Sequence, residues 1–398
     1  MPRANPWHKK VDIPDGYTIN ALACNPDTGS PYPYLAGVVA GGESTAAVIF
    51  KYDGATLKEI FRGPEDSAFY DVRWGNGEMW ATGHRTENDE MKPYAVKSDG
   101  TLFEEVVVPA AVTAKTFTRV FPRPGGVVWL EGSDGVYVYD SGEWRLCPPT
   151  ALVPNTGDHG TLTVTAGGTA YYLKSHETSR TMLISRDNGL SWLEEPIILE
   201  ESIYRFDFTG ELENLASGGE TPYFCARLYV HYGKDVIEYN GVVARNDAPA
   251  GSGTYDVVFM APKGPQFYGI DALAFFDERN GYAGGVTTGV VLKDGVWRLD
   301  DIPDNSYMAF RIITAGFSDY WAIVEASHVP GLWIAPYEGA HEQIAIDYRR
   351  PRGGHYVGLG PRSHARRRRL PLRRHGLLLP QLLLREGLPR RRNRPVGR

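Results

Sequence analysis

The feature that most constrains this chain is a recurrence: an acidic or amide residue placed beside a glycine, or two before it, returns at near-regular intervals between strand-like runs. The pairs are Asp53-Gly54, Asp99-Gly100, Asp140 to Gly142, Asp187 to Gly189, Asn240-Gly241, Asp294-Gly295 and Glu338-Gly339, at steps of 46, 41, 47, 53, 54 and 44 residues. Such a step is the length of one four-stranded blade of a β-propeller. The chemistry fits, because a tight hairpin turn needs positive φ, which Asp, Asn and Gly reach at least cost. Each pair is therefore expected to join the third and fourth strands of a blade. Short strands follow it, as in "GEWRLCPP", "GVWRLDDIP" and "GTLFEEVVVP", and alternating strands precede it, as in "YDVRWGNGEMWATG".

The reading is an all-β chain with seven blades at about 17–64, 65–110, 111–150, 151–200, 201–267, 268–304 and 305–348. Its 45 Gly, 28 Pro and 23 Tyr suit many turns and pleated strands. Residues 7–14, "WHKKVDIP", read as a strand that closes the ring by joining the last blade. The run "HEQIAID" in the seventh unit competes for that place, so an eight-bladed ring with a lost last blade stands as the alternative.

Charge divides the chain at residue 349. Residues 349–398 carry 16 Arg and a single acid, Glu386, a net of +15, which leaves 26 basic and 47 acidic residues, a net of −21, in 1–348. The Arg, Leu, Pro and Gly vocabulary of 349–398 has neither strand nor helix period, so this segment is expected to be a disordered tail or an out-of-frame reading. The acidic body argues against nucleic acid and acidic membranes as partners. Three scattered cysteines, Cys24, Cys147 and Cys225, give no metal or disulfide framework. No cofactor motif occurs, and the chain reads as a monomer without membrane contact. As written it reads as cytoplasmic, and as secreted if its N-terminus is incomplete.

The fourth unit contains "SRDNGLSW", Ser185 to Trp192, which fits S-x-D-x-G-x-[ST]-W at each defined position. In this it resembles the Asp-box (BNR-repeat) propellers of the sialidase-like superfamily. The resemblance implies a structural box, in which Ser185 and Asp187 tie down the hairpin, Gly189 turns it and Trp192 packs between strands. It also raises the question of catalysis. Sialidases use an arginine triad with a Tyr nucleophile and its Glu partner, but the [FY]-R-I-P stretch is missing; "TRVFP" around Arg119 and "FRII" around Arg311 come nearest. The chain is thus expected to be a non-sialidase member.

A candidate site comes from aligning the first strand of each unit. One column reads Asn20, Asp71, Arg119, Thr163, Arg205, Asp271 and Arg311, polar residues set among apolar ones. Period-two strands place such a set on one face, and first strands line a propeller's channel. Arg119, Arg205 and Arg311 would suit a carboxylate or phosphate; the competing reading pairs them with Asp71 and Asp271. Tyr70 and Tyr204, beside the column, fall on the opposite face by alternation. The acids Glu194 and Glu195 read as a solvated edge, and "HEQIA" at His341 lacks the second histidine of a zinc site. The sequence therefore points to a non-enzymatic binding or scaffold propeller that takes a protein or a small anionic ligand at its channel mouth. The alternative is a divergent glycoside hydrolase.

Overall fold

The computed structural model describes residues 7–336 with internal gaps, the larger being 154–158, 200–205, 208–211, 246–253, 261–269 and 300–307. Arg205, Tyr204, Glu338-Gly339, "HEQIAID" and the 349–398 segment lie outside the described residues.

Strand β1 (His8–Asp12) precedes blade 1, which is β2 (Tyr17–Cys24), β3 (Pro33–Gly41), β4 (Ser44–Tyr52) and β5 (Leu57–Glu65). Blade 2 is β6 (Ser67–Gly75), β7 (Glu78–Glu87), β8 (Glu90–Ser98) and β9 (Phe103–Glu105). Blade 3 is β10 (Phe117–Pro122), β11 (Val128–Gly132), β12 (Gly135–Asp140) and β13 (Glu143–Leu146). Blade 4 is β14 (His159–Val164), β15 (Ala170–His176), β16 (Ser179–Ser185) and β17 (Leu193–Pro196). A different sheet follows, built from β18 (Ile198–Leu199), β19 (Phe206–Asp207), β20 (Leu212–Gly218), β21 (Thr221–Tyr232), β22 (Asp235–Arg245) and β23 (Thr254–Met260). Blade 5 is β24 (Ala272–Asp277), β25 (Asn280–Gly285), β26 (Thr288–Lys293) and β27 (Val296–Leu299). Blade 6 is β28 (Met308–Ala315), β29 (Asp319–Ala326) and β30 (Val329–Pro336), with β1 as its outer strand.

Among the described residues the protein is an all-β propeller with six four-stranded blades, which corrects the expectation of seven, and equally that of eight; the six-stranded sheet adds its β20 to the ring between β14 and β24. The discrepancy falls on residues 201–267, read from sequence as a fifth regular blade. Asn240-Gly241 was expected to be its hairpin turn, yet both residues lie inside β22, opposite Leu228 and Arg227 of β21. Val236, Ile237, Tyr239, Val242 and Val243 around the pair are strong strand formers, and continuous pairing along β21 overrides the turn signal. The resulting sheet has six strands in the described residues, including a parallel pair, β18 with β23.

Where the acid-glycine signal does mark a turn, its chemistry is visible. Gly54, Gly100, Gly142, Gly189 and Gly295 all have φ between 76° and 98°. Asp53 Oδ1 accepts from the amides of Ala55 and Thr56 at 3.0 and 2.8 Å, and Asp99 Oδ1 from those of Thr101 and Leu102 at 2.8 and 3.0 Å. In blade 4, Asp187 Oδ1 accepts from Ser185 Oγ and the Ser191 amide at 2.9 Å each, and the Gly189 amide donates to Ser185 Oγ. Hydrogen bonds from Ser191 and Ser185 hold the Asp187 carboxyl down at about 2. Trp192 meets Trp129 edge to face, their ring centroids 5.9 Å apart, on the core between blades 3 and 4.

Side chains from facing sheets fill each gap between blades. Phe69, Tyr94 and Ile49 pack between blades 1 and 2, and Phe117, Tyr137 and Trp80 between blades 2 and 3. Ring closure is also a packing event. Trp7 is 2% exposed, lies 5.1 Å from both Tyr282 and Phe310, and donates its indole N–H to Tyr282 Oη at 2.9 Å. It thus ties the segment before β1 to blades 5 and 6.

Candidate functional site

The innermost strands adjoin in the order β2, β6, β10, β14, β20, β24, β28 and back to β2. They enclose a channel cavity of about 420 Å³, a size suited to a small molecule. Of the polar column, Asn20, Asp71, Arg119, Thr163 and Arg311 line this cavity together. Asp271 stands just before β24, its amide donating to Gly284 O at 2.8 Å, outside the lining set. Arg205 lies outside the described residues.

Strict alternation fails along these strands. Register shifts fall between Ile19 and Ala21, Phe69 and Asp71, Phe117 and Arg119, and Phe310 and Ile312. Each inserts one residue, Asn20, Tyr70, Thr118 and Arg311 respectively, and a bulge of this kind re-aims the side chains beside it. Neighbours expected on opposite faces therefore reach the channel together: Tyr70 with Asp71, and Thr118 with Arg119. Alternation had assigned Tyr70 to the other face, and the bulge overturns that. Glycines lie against two of the bulges, Gly37 opposite Ile19 and Gly83 opposite Phe69. A Cβ at either would collide with the carbonyl oxygen of Thr18 or Ala68.

The column also ties blade to blade. Asn20 Nδ2 donates to Phe69 O at 2.6 Å, joining blades 1 and 2. Asp71, 6% exposed, accepts from Val72 N at 2.9 Å, from Val120 N of blade 3 at 3.0 Å and from Arg73 Nε at 3.0 Å. Arg119 donates to Leu162 O of blade 4 at 3.1 Å. Behind it, buried Glu131 accepts from Leu162 N at 2.5 Å and from Thr118 Oγ1 at 2.6 Å. Burial pushes the Glu131 carboxyl upward, against the opposing pull of Arg119.

Two further guanidiniums join the lining, Arg73 and Arg123. Both lie over the Phe121 ring, 4.4 and 5.6 Å from its centroid. Arg123 also donates to Val164 O, and burial lowers it to about 10. Sequence reasoning passed over both, although Arg73 and Arg123 lie two and four residues beyond Asp71 and Arg119, on the alternation those residues begin. The four guanidiniums divide by exposure. The side chains of Arg73 and Arg311 are 43% and 50% exposed, whereas that of Arg119 is 20% exposed and bonded to the next blade. Arg311 pairs with Glu325 at 3.1 Å rather than with a carboxylate of the column, and Asp71 pairs with Arg73.

Asp71 is the one carboxylate among the described lining residues, and its oxygens are engaged. Among the described lining residues there is therefore no facing pair of acids of the sort glycoside hydrolysis uses. Elsewhere Glu195 is 1% exposed, with neither carboxylate oxygen hydrogen-bonded, which corrects its reading as a solvated edge; Glu194 is exposed. No three His, Cys, Asp or Glu side chains among the described residues group as metal ligands. No described helix is long and apolar enough to cross a membrane.

No family model and no curated protein matches this chain. Solved structures do. Virginiamycin B lyase from Staphylococcus aureus is 11% identical with a TM-score of 0.52, over 83% of this chain and 99% of that one. The propeller domain of Cps50 (Swd1) from Myceliophteria thermophila is 10% identical with a TM-score of 0.52, over 82% and 99%. A GH74 xyloglucanase from Xanthomonas campestris is 12% identical with a TM-score of 0.52, over 84% of this chain and 54% of that one. Two of these names denote enzymes and the third a propeller domain, so at such identities what the likeness establishes is the β-propeller fold alone.

Proposed function

We propose that this protein is a binding propeller whose channel takes a small, oxygen-rich anion, a carboxylate or phosphate. The observation that carries the reading is the lining charge: four guanidiniums, Arg73, Arg119, Arg123 and Arg311, against the single carboxylate of Asp71. Arginine holds its charge at all physiological pH and offers planar paired donors to oxyanions. In this reading the roles differ. Arg119 and Arg123 spend donors on Leu162 O and Val164 O and so shape the wall. The more exposed Arg73 and Arg311 face the ligand.

Calorimetric titration with sulfate, citrate and sugar phosphates tests this. Replacing Arg73 and Arg311 together by Ala should weaken binding by roughly two to four orders of magnitude, since a hydrogen bond to a charged group contributes about 1.5–3 kcal/mol. The fold should persist, because Arg311 pairs only within its own blade and the contact of half-exposed Arg73 with the Phe121 ring of blade 3 contributes about 0.5–1 kcal/mol. Silence of the wild type across the whole panel would overturn the reading.

A further inference from the structure

Tyr70 lines the channel cavity and is also half of a second arrangement that the anion site does not require. Its hydroxyl lies 2.9 Å from His84 Nδ1, and the two rings stack with centroids 5.4 Å apart and planes 25° from parallel. The bulge at Tyr70 brings this about, since it turns into the channel a residue whose partner sits on the neighbouring strand, β7.

The direction of this hydrogen bond decides what Tyr70 offers a ligand. When Nδ1 of neutral His84 accepts, the hydroxyl proton points at the ring and the tyrosine presents only lone pairs elsewhere. When His84 is protonated, both ring nitrogens donate. The hydroxyl oxygen then accepts from Nδ1–H, and its own proton is released to donate to another acceptor. An imidazolium also adds positive charge behind the site. Both changes favour an anion, and both are absent while His84 is neutral and accepting.

We propose that anion binding in the channel is coupled to proton uptake at His84, with Tyr70 relaying the change as a hydroxyl that turns from His84 toward the ligand. This rests on the anion-site reading and deepens it: the site takes fully ionised oxyanions and holds them more tightly as pH falls. The surroundings of His84 suit a switch. In register it faces Ala68 on β6 and Pro93 on β8, neither charged. The next charged groups along β7 and β8 are Arg85 and Lys92, which pair with Glu87, and Arg85 also with Glu105. On β6, Asp71 is turned to Val72, Arg73 and Val120. Burial alone draws His84 below its usual value, so the free protein keeps it neutral near pH 7. An anion bound against Tyr70 would draw it back up. Protons and charge balance, since one proton comes from solvent for each anion held in the tight form.

The test is sulfate binding by calorimetry on the full chain, because sulfate stays doubly charged throughout the range used. Titrations between about pH 8 and pH 5.5, in buffers of different ionisation enthalpy, give both affinity and protons taken up. The wild type should bind roughly ten-fold more tightly at the acid end, with up to one proton taken up per sulfate, a coupling of ordinary size for two linked sites. Tyr70→Phe and His84→Gln should both lose this added tightening and the linked proton uptake, their affinities changing less than about two-fold between the alkaline and the acid end. Affinity in the wild type that is flat with pH would mean that His84 merely exchanges tautomers, and would overturn the proposal while leaving the anion site standing. An undiminished acid response in both variants would also overturn it, assigning the response to Glu131 behind Arg119. Failure of sulfate to bind the wild type at any pH would instead sink the anion site itself.

Discussion

Replacing Asp71 by Ala should be among the most damaging single changes in the channel wall, although it removes only three heavy atoms. The carboxylate is 6% exposed and receives three donors: the amides of Val72 and Val120 and the Arg73 guanidinium. The Arg73 contact is half-exposed and contributes little by itself. The two amides matter more, because a buried donor left without an acceptor costs about 1–3 kcal/mol. The expected loss is therefore about 2–5 kcal/mol, a large fraction of a domain's ordinary stability of roughly 5–15 kcal/mol. Asp71→Asn keeps one acceptor oxygen and should lose about half as much. Urea unfolding followed by tryptophan fluorescence measures the shift in midpoint, and an unchanged slope would show that the exposed area has not altered. Hydrogen exchange adds a local reading: the Val120 amide should exchange faster in the Ala variant, since Asp71 is the acceptor that ties it to the neighbouring blade. A loss below about 0.5 kcal/mol, the range of ordinary surface substitutions, would refute the claim that this side chain joins blades 2 and 3.

Two further changes probe the same wall and the ring closure. The Glu131 carboxyl is raised above its unfolded value by burial, so its favourable contribution is fully present below the ordinary carboxylate range and is lost as pH rises through the raised value. Glu131→Gln, which cannot ionise, should therefore gain stability relative to wild type as pH rises above the ordinary carboxylate range of about 4, and parallel pH profiles for the two proteins would contradict this. Trp7→Ala removes a fully buried indole packed on Tyr282 and Phe310 and should cost about 3–5 kcal/mol. A thermal midpoint within a degree or two of wild type would show that closure does not depend on Trp7.

Different parts of the molecule were legible in the sequence to different degrees, for physical reasons. A two-residue turn depends on local chemistry, so Asp53, Asp99 and Asp187 announce their hairpins from composition alone. Asn240-Gly241 looks the same locally and is not a turn, because strand pairing from Thr221–Tyr232 outweighs it, and pairing is a long-range property. That one substitution of strand for turn accounts for the miscount of blades. The polar column was visible because five of its members share one wall. The bulges were not, because a bulge is one extra residue relative to a partner strand, and a single strand read alone has no partner to be compared with. For the same reason Tyr70 was assigned to the wrong face, and Arg73 and Arg123 were overlooked.

The bonds that Asn20, Asp71, Arg119 and Glu131 make to a neighbouring blade end on main-chain atoms: Phe69 O, Val120 N, Leu162 O and Leu162 N. Every residue type except proline at the amide positions presents the same atoms there. The blade that supplies the side chain must keep its Asn20, Asp71, Arg119 or Glu131, but its neighbour is asked for no particular side chain. Neighbouring blades can therefore change sequence without waiting on each other, and a blade copied or replaced within the chain would arrive already able to make its half of the bond. A mutational scan should show this as asymmetry, with Asn20, Asp71, Arg119 and Glu131 intolerant and Phe69, Val120 and Leu162 governed only by how their side chains pack.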